Sequence, residues 1–314
     1  MASPPPDTLH ALVVDELARE LPEAVRAFAA HLSGQGGSAV AVLFYGSNLR
    51  TGDLDGVLDF YILVERLGDW HGRGLTALAN HVLPPNVGYH SWPYQGQTLR
   101  AKVAVLRLDQ FVHGVSGRSL DTTLWARFAQ PAALAWVRDA AASAAAASAV
   151  AAAIRTAATW AARLGPEHGT AQQFWDQLFA RTYAAELRVE KTARALSLAA
   201  HAPARYAAAL TLAWAESGVL SAADSQGCLH PGISAVLRRQ TLRAWAWRAR
   251  CGKPLNLLRL LKSIWTFEGG ADYVAWKVER HSGVRLNLSD WQRRHPLLAA
   301  PGALWRLWRA GAIR

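Results

Sequence analysis

The residues best suited to chemistry lie between positions 39 and 65, where a glycine–serine pair is followed by three aspartates. Gly46 permits a sharp backbone turn, and Ser47 adds a hydroxyl group beside free amide donors. Asp59 lies at the head of the next apolar run. Amide and hydroxyl groups bind phosphate oxygens, whereas carboxylates are hard ligands that suit Mg²⁺. The pattern therefore predicts a site that holds a triphosphate with its magnesium ion.

The spacing leaves the second carboxylate of this metal site open. Sites of this class usually carry two carboxylates two residues apart on one strand, but Tyr61 occupies that second position. Asp55 or Asp53, from the preceding turn, could supply the other oxygen, because Mg²⁺ has to be neutralised while it bridges phosphate oxygens. Asp59 and Asp55 are predicted as the metal ligands, with Asp53 as the alternative to Asp55. The competing interpretation is that Asp59 only caps the start of a strand.

Hydrophobic periodicity predicts the elements that position these residues. Residues 39–65 are expected to form a strand, a turn, a short helix and a second strand, since both apolar runs are continuous. The spacing over 8–34 indicates one amphipathic helix packed on this sheet. Residues 99–108 are expected to form a third strand, after a turn and an aromatic-rich connection at 84–96. The first unit is therefore α/β.

The remainder is predicted to be helical, which makes the chain as a whole α+β. Residues 131–226 are rich in alanine and form the second predicted domain, after a first domain of residues 1–130. Residues 227–314 form a basic C-terminal segment, interpreted as helical with an interfacial helix at its end. No stretch is expected to span a bilayer, because the nearest candidate, 140–154, is short and weakly apolar.

Charge and cysteine content limit the possible functions. The two cysteines lack a CxxC spacing, which argues against a disulfide framework or a zinc site and suits a reducing compartment. The N-terminus has neither a signal-peptide nor a transit-peptide pattern. From residue 236 onwards there are 16 Lys and Arg residues against 4 Asp and Glu residues. This excess predicts an anionic partner, with a solvated basic face as the alternative.

Three segments carry a resemblance to a known family: YGSN at 45–48, VLDFYILVE at 57–65 and DWHGRGL at 69–75. They are similar to the mitochondrial-type phosphatidate cytidylyltransferases, which are peripheral CDP-diacylglycerol synthases. That family has a single strand aspartate, a Trp-His pair and a HYS-like segment, which match Asp59, Trp70-His71 and Tyr89-His90-Ser91. The likeness covers about residues 40 to 280, thinly in the middle. Asn48 departs from it, because it replaces the family's third glycine position.

The resemblance implies a nucleotidyltransferase-like domain followed by a helical, winged-helix-like domain. It implies transfer of CMP from CTP to phosphatidate or a related lipid phosphate, with Mg²⁺ as cofactor and pyrophosphate as the leaving group. The lysine on the family's third strand corresponds to Lys102, and a helix motif corresponds to Tyr183, Glu186 and Arg188. The site residues that follow are Tyr45, Gly46, Ser47, Asn48 and Arg238 for the nucleotide, Asp59, Asp55 and Lys102 for catalysis, and His71, His90 and Arg243 for the substrate.

Alternatives remain for several of these residues. His71 could equally be a hydrogen-bonded structural residue, Lys102 a strand lysine that reaches solvent, and Arg238 part of a general basic face. The chain could also be a nucleotidyltransferase that acts on RNA or a small molecule, or an inactive fold that serves as a binding module.

The C-terminal tail gives a separate signal for the partner. It has the interfacial pattern of tryptophan among arginines, carried by Trp291, Arg293, Arg294, Leu304, Trp305, Arg306, Leu307, Trp308 and Arg309. We therefore expect a cytoplasmic enzyme, peripheral on the inner face of an anionic membrane, with no nucleic-acid partner.

Overall fold

The computed structural model describes residues 7–72, 74–186, 198–219, 221–225, 227–282 and 288–294. The protein is α+β and 58% helical. The strands are β1 Ala39–Tyr45, β2 Leu58–Val64, β3 Asn86–Tyr94, β4 Gln97–Arg107, β5 Ala132–Val137, β6 Ala222–Ala223 and β7 Leu229–His230. The helices are α1 Leu9–Leu17, α2 Glu23–Ser33, α3 Ser47–Thr51, α4 Leu67–His71, α5 Leu75–Val82, α6 Leu108–Val115, α7 Thr123–Phe128, α8 Ala140–Leu164, α9 Ala171–Ala185, α10 Pro203–Glu216, α11 Ala235–Thr266, α12 Gly270–Ser282 and α13 Asp290–Arg294, with a 3₁₀ turn at Ala199–His201.

A mixed five-stranded sheet in the order β3-β4-β2-β1-β5 organises the fold. Its central strand β2 runs antiparallel to β1 and parallel to β4, while β3 and β5 are antiparallel edge strands. The predicted succession of strand, turn, short helix and strand is confirmed by β1, α3 and β2. Both central strands are apolar on both faces because helices cover the sheet on each side.

The structure contains two strands and one break between helices that the sequence did not predict. The aromatic-rich connection contains β3, and the alanine-rich segment begins with β5, which pairs with β1. Edge pairing gives these segments ladder hydrogen bonds, which outweigh their weak local strand signals. The single helix predicted over 8–34 is two helices, because Pro22 has an extended backbone (ψ 142°) and starts α2 anew.

The two faces of the sheet carry different cores. Helix α2 packs on the face that includes Phe44 and Phe60, whereas α1, α6, α7 and α8 cover the face that includes Leu43 and Tyr61. This second core is continuous with the packing of α9 and α10. The sheet thus extends past the predicted boundary at residue 130, because β5 belongs to it and α8 packs directly against it.

Helix α8 is longer than the apolar segment singled out in the sequence. By length and composition it could cross a membrane, but 56% of its most apolar window is buried inside the protein. It packs against α7, α9 and α10. This is the environment of a core helix in a protein of this size.

Candidate functional site

Four residues on neighbouring strands lie side by side and form one row across the sheet, near the start of β2. Asp59 has Tyr45 as its partner on β1 and Lys102 as its partner on β4, and Lys102 is in turn paired with Tyr89 on β3. Residues paired in this way project from the same face of a sheet. The structure therefore brings together Tyr45, Asp59 and Lys102, three of the residues predicted for the site.

The turn after β1 is fitted to the Asp59 carboxylate. Gly46 has φ 95° and ψ −163°, a conformation that L side chains rarely adopt. A Cβ atom at this position would lie 2.7 Å from Asp59 Oδ2, closer than real contacts allow. The glycine is therefore required both by the backbone conformation and by the close approach of the carboxylate. The sequence pattern predicted only a sharp turn at Gly46, and the structure adds the close approach of the Asp59 carboxylate.

The loop between α3 and β2 is held by short-range hydrogen bonds. The side-chain amide of the buried Asn48 donates to the carbonyl of Asp53 at 2.7 Å, and the Asp53 carboxylate accepts from the backbone amide of Asp55 at 2.8 Å. Both aspartates are exposed, whereas Asp59 is partly buried. The buried Asn48 side chain thus stabilises the conformation of this loop. Ser47 is exposed at the first residue of α3. The predicted nucleotide role of Asn48 is not supported by this buried position.

Arg127 on α7 is a functional candidate that the sequence did not single out. Its guanidinium donates to the hydroxyl groups of Tyr61 at 2.8 Å and Tyr45 at 3.3 Å. Burial by itself lowers the pKa of Arg127, but Tyr45, Tyr61, Glu186 and Asp59 together raise that pKa well above its usual value. A permanently charged group therefore lies beside the Asp59 row. Arg127 is brought to this row by the packing of α7 on the sheet, and no sequence motif indicates its role.

The helix motif of the resemblance is only partly within the described residues. Glu186 caps the end of α9, is nearly buried and is close enough to Arg127 to affect its pKa. Tyr183 lies one turn earlier on the same helix. Arg188 lies outside the residues that the structure describes.

The C-terminal segment covers the Lys102 end of the row. The carbonyl of Glu268 accepts a hydrogen bond from the backbone amide of Tyr89 at 2.8 Å, which fixes the link between α11 and α12 to the edge strand. Gly269 (φ 68°) packs on Tyr89 so closely that a Cβ would collide with the Tyr89 carbonyl oxygen. Tyr273 then lies with its ring 4.6 Å from Lys102 Nζ.

Helix α11 is anchored to the same edge by two cations. Arg259 forms an ion pair with Asp121 at 2.6 Å, and Lys262 donates to the carbonyl oxygens of Leu83 and Pro85. Burial, with some repulsion from Arg259, lowers the pKa of Lys262 to about 8. These contacts fix the position from which α12 reaches over the site.

The structure places the two predicted histidines away from the Asp59 row. His71 Nε2 lies 2.9 Å from the side-chain amide nitrogen of Asn80 and 3.3 Å from that of Asn86, and burial together with Lys262 lowers the pKa of His71 to about 4. Two amide donors at Nε2 require a neutral imidazole with its proton on Nδ1. The hydrogen bonds at Nε2 favour the structural alternative that the sequence left open for His71, while its buried Nδ1 has no hydrogen-bond partner in the described part of the chain.

His90 alternates with Tyr89 along β3 and therefore projects from the opposite face of the sheet. Burial and the neighbouring His31 lower its pKa to about 4. The geometry does not support the predicted substrate contact of His90, because its side chain projects from the face of the sheet opposite to that of Asp59.

The two predicted arginines of α11 are also outside the site. Arg238 donates from its guanidinium to the carbonyl oxygen of Gly165 at the end of α8. Arg243 is exposed on the outer surface of α11. Both lie near the start of the 32-residue helix α11, whereas the contacts with the Asp59 row come from residues that follow the end of this helix. Their predicted phosphate and substrate roles are therefore not supported.

A cavity of about 540 Å³ opens beside Ser47, at the other end of the row. Its lining includes three arginines that were not anticipated, Arg19, Arg50 and Arg205, together with His201. Arg205 is already paired with Glu16 at 2.7 Å, and Arg50 is exposed. The cavity joins the Gly46–Ser47 turn to a positive wall, so it suits a polyanion.

The metal prediction rests on one carboxylate in the row. Among the described residues, no group of three or more His, Cys, Asp or Glu side chains is arranged to hold a metal ion. Mg²⁺ is often bound by one or two carboxylates together with substrate phosphates and water, so Asp59 and an aspartate of the 53–55 loop fit such a site. Asp59 lies against the Gly46 turn, while the choice between Asp53 and Asp55 stays open.

No protein-family model matches the chain, and no curated protein matches it.

Proposed function

We propose that this protein is a nucleotidyltransferase-fold cytidylyltransferase, which transfers CMP from CTP to phosphatidate or a related lipid phosphate. The observation that carries the proposal is the fit between Gly46 and Asp59: a strand carboxylate lies against a turn whose backbone conformation L side chains rarely adopt. A site of this kind joins phosphate-binding groups to a metal-binding carboxylate. The sequence resemblance supports CTP and phosphatidate as the substrates.

The geometry suggests how the nucleotide would lie. The outer phosphates of CTP would bind at Ser47 and along the cationic cavity that includes Arg50. The α-phosphate would then lie at Asp59, between Lys102 on one side and Arg127 on the other. Asp59, with Asp55 or Asp53, would hold Mg²⁺, which when bound neutralises phosphate charge and stabilises the pyrophosphate leaving group.

The transfer needs no general base. The phosphate of phosphatidate has a second pKa of about 6, so near neutral pH it is mostly an anionic nucleophile. Its oxygen forms a new bond to the α-phosphorus of CTP, and the bond from that phosphorus to the β-bridging oxygen breaks, which releases pyrophosphate. The protein has to align the two anions and screen their mutual repulsion. The proposal gives this role to Lys102, the neighbour of Asp59, and to Arg127, which binds Tyr61.

Access to a lipid substrate is supported by exposed apolar side chains on neighbouring helices. Along the outer surface of α11, Trp247, Leu258 and Trp265 are exposed, Trp265 by 79%. Helix α5, which packs beside α11, exposes Leu75 and Val82. Apolar side chains interleaved with arginines on α11 are typical of a surface that lies on an anionic bilayer. Trp291 and Arg293 belong to the short helix α13, whereas the predicted interfacial helix with Trp305 and Trp308 lies outside the described residues.

An acceptor-choice assay tests the proposal. Wild-type protein is incubated with labelled CTP and Mg²⁺, in parallel with phosphatidate vesicles, phosphatidylcholine vesicles and RNA. We expect label only in the lipid of the phosphatidate arm, with loss of transfer in Asp59→Ala. Label in RNA would point to the nucleic-acid alternative, and absence of transfer from any nucleotide would favour the binding module.

A further inference from the structure

Four cations surround two adjacent aromatic rings where α12 covers the sheet, beside Asp59. Lys102 and Lys277 lie over the Tyr273 ring, with their Nζ atoms 4.6 Å and 5.9 Å from its centroid. Arg100 and Arg280 lie over Trp276, with guanidinium carbons 5.6 Å and 5.3 Å from its centroid. We call these six residues the cation–aromatic cluster. Its members come from β4 and α12, two elements that are distant in the sequence.

The cluster carries four positive charges, and two carboxylates lie near it, Asp59 beside Lys102 in the sheet and Glu279 beside Arg280 on α12. In the described part of the chain, no carboxylate lies within salt-bridge distance of any of its four cations. Asp272, on the same helix, is bound by Arg293 at 2.9 Å. The aromatic rings attract each cation through their faces but leave the net charge unchanged. Four like charges held together in this way repel one another, and a multivalent anion would relieve that repulsion.

The cluster is a built feature and not a chance meeting of surface side chains. Helix α12 begins directly after Gly269, whose contact with the Tyr89 carbonyl fixes the direction in which the helix leaves the sheet. Tyr273 and Trp276 are one turn apart on that helix, with ring centroids 6.3 Å apart. Arg280 also donates to the carbonyl oxygen of Asp55, which ties the far part of α12 to the loop before β2.

The position of the cluster identifies the anion that would suit it. Lys102 is the β4 partner of Asp59, so a group bound by the cluster lies next to the carboxylate of the reacting row. The cavity for the outer phosphates lies at the opposite end, beside Ser47. A phosphomonoester carries a charge of about −1.5 to −2 near pH 7 and offers three acceptor oxygens.

We propose that the cation–aromatic cluster binds the phosphomonoester group of the acceptor and presents it to the α-phosphate of the nucleotide. This inference rests on the proposed function, since the reaction defines which phosphate is the acceptor. The group recognised is the phosphomonoester itself, which could belong to phosphatidate or to a free glycerol phosphate.

The test is direct binding of soluble phosphates to variants of the full chain. Dihexanoyl phosphatidate, glycerol 3-phosphate, dihexanoyl phosphatidylcholine and CTP are titrated into wild-type protein and Lys277→Gln/Arg280→Gln, by calorimetry. The matched control is Arg26→Gln/Arg118→Gln, which removes two exposed charges that lie outside the cluster and outside α11. The rescue variant is Lys277→Arg/Arg280→Lys, which keeps both charges.

We expect the Lys277→Gln/Arg280→Gln variant to bind dihexanoyl phosphatidate at least about tenfold more weakly than wild type, as expected for loss of charge-assisted contacts. The control and rescue variants should stay within about twofold, and CTP affinity should be unchanged in all of them. A parallel loss for glycerol 3-phosphate would assign recognition to the phosphate alone, and a loss for phosphatidate only would assign it to the lipid phosphate. Both results support the cluster.

Equal weakening in the control variant, or equal binding of phosphatidylcholine and phosphatidate, would overturn the inference. The wild-type titration is repeated with a single-stranded oligonucleotide, and tighter binding of the oligonucleotide than of phosphatidate would also overturn the inference. A protein that binds phosphatidate through the cluster but transfers no CMP would contradict the proposed function and leave the subsite intact. Normal transfer, with an unchanged KM for phosphatidate in Lys277→Gln/Arg280→Gln, would contradict the subsite and leave the function intact.

Discussion

Replacing Gly46 with alanine perturbs the feature on which the proposed site depends. The added Cβ would lie 2.7 Å from Asp59 Oδ2, and contacts under 3.0 Å essentially never occur. Either the carboxylate or the turn therefore has to move by at least a few tenths of an ångström. The backbone of Gly46 (φ 95°, ψ −163°) also lies in a region that alanine rarely adopts.

The expected magnitudes follow from these two effects. The backbone conformation alone costs on the order of 1–3 kcal/mol of folding free energy. Displacement of the carboxylate acts on the reaction, since a misplacement of about 1 Å in a reacting group can cost about a hundredfold in rate. For a shift of a few tenths of an ångström to an ångström, we expect Gly46→Ala to lose about tenfold to a hundredfold of transfer activity.

The matched control is Gly52→Ala, at the other end of α3. Gly52 also has a positive φ of 72°, but an added Cβ would meet nothing within 4 Å. Urea unfolding and CTP transfer are measured for both variants. We expect both to be destabilised by about 1–3 kcal/mol, with a large loss of activity only in Gly46→Ala. Equal activity of the two variants would refute the claim that Gly46 is fitted to the Asp59 carboxylate.

Two further predictions concern buried polar groups. Arg127→Gln removes the charged donor to Tyr61 and Tyr45, and should lower the free energy of unfolding by about 1.5–3 kcal/mol in urea titrations, where an unchanged midpoint would contradict the assigned role. His71 and His90 both have a pKa of about 4 in the folded protein against 6.5 unfolded, so the unfolded chain binds more protons and stability falls from pH 6.5 to pH 4. That pH dependence, followed by urea midpoints, should be shallower in His71→Gln but unchanged in a substitution of the exposed His10, and identical slopes in all three proteins would contradict the assignment.

The central part of the fold could be predicted because local signals and packing agree there. The apolar runs of β1 and β2 are buried on both faces, and the glycine between β1 and α3 has the positive φ that its residue type suggested. Asp59 was predicted from the residue pattern and Lys102 from the resemblance, and the structure makes them neighbours. For these positions, periodicity and residue type carry enough information.

The edges of the sheet and the outer part of the site could not be predicted in this way. The alanine-rich β5 forms a strand only because β1 offers it a free edge. Arg127, Tyr273 and Trp276 reach the site through packing of α7 and α12, which no local pattern reports. The face of β3 from which His90 projects could not be predicted, because a motif match does not specify the face of a strand.

The most direct test of the account follows two labels from the same nucleotide. CTP labelled at the α-phosphorus or at the γ-phosphorus is incubated with Mg²⁺ and phosphatidate vesicles, with wild-type protein and with Asp59→Asn. We expect wild type to transfer the α-label to lipid and to release the γ-label as pyrophosphate, and we expect Asp59→Asn to do neither. Transfer of the γ-label to lipid, or α-label transfer that survives in Asp59→Asn, would contradict this expectation.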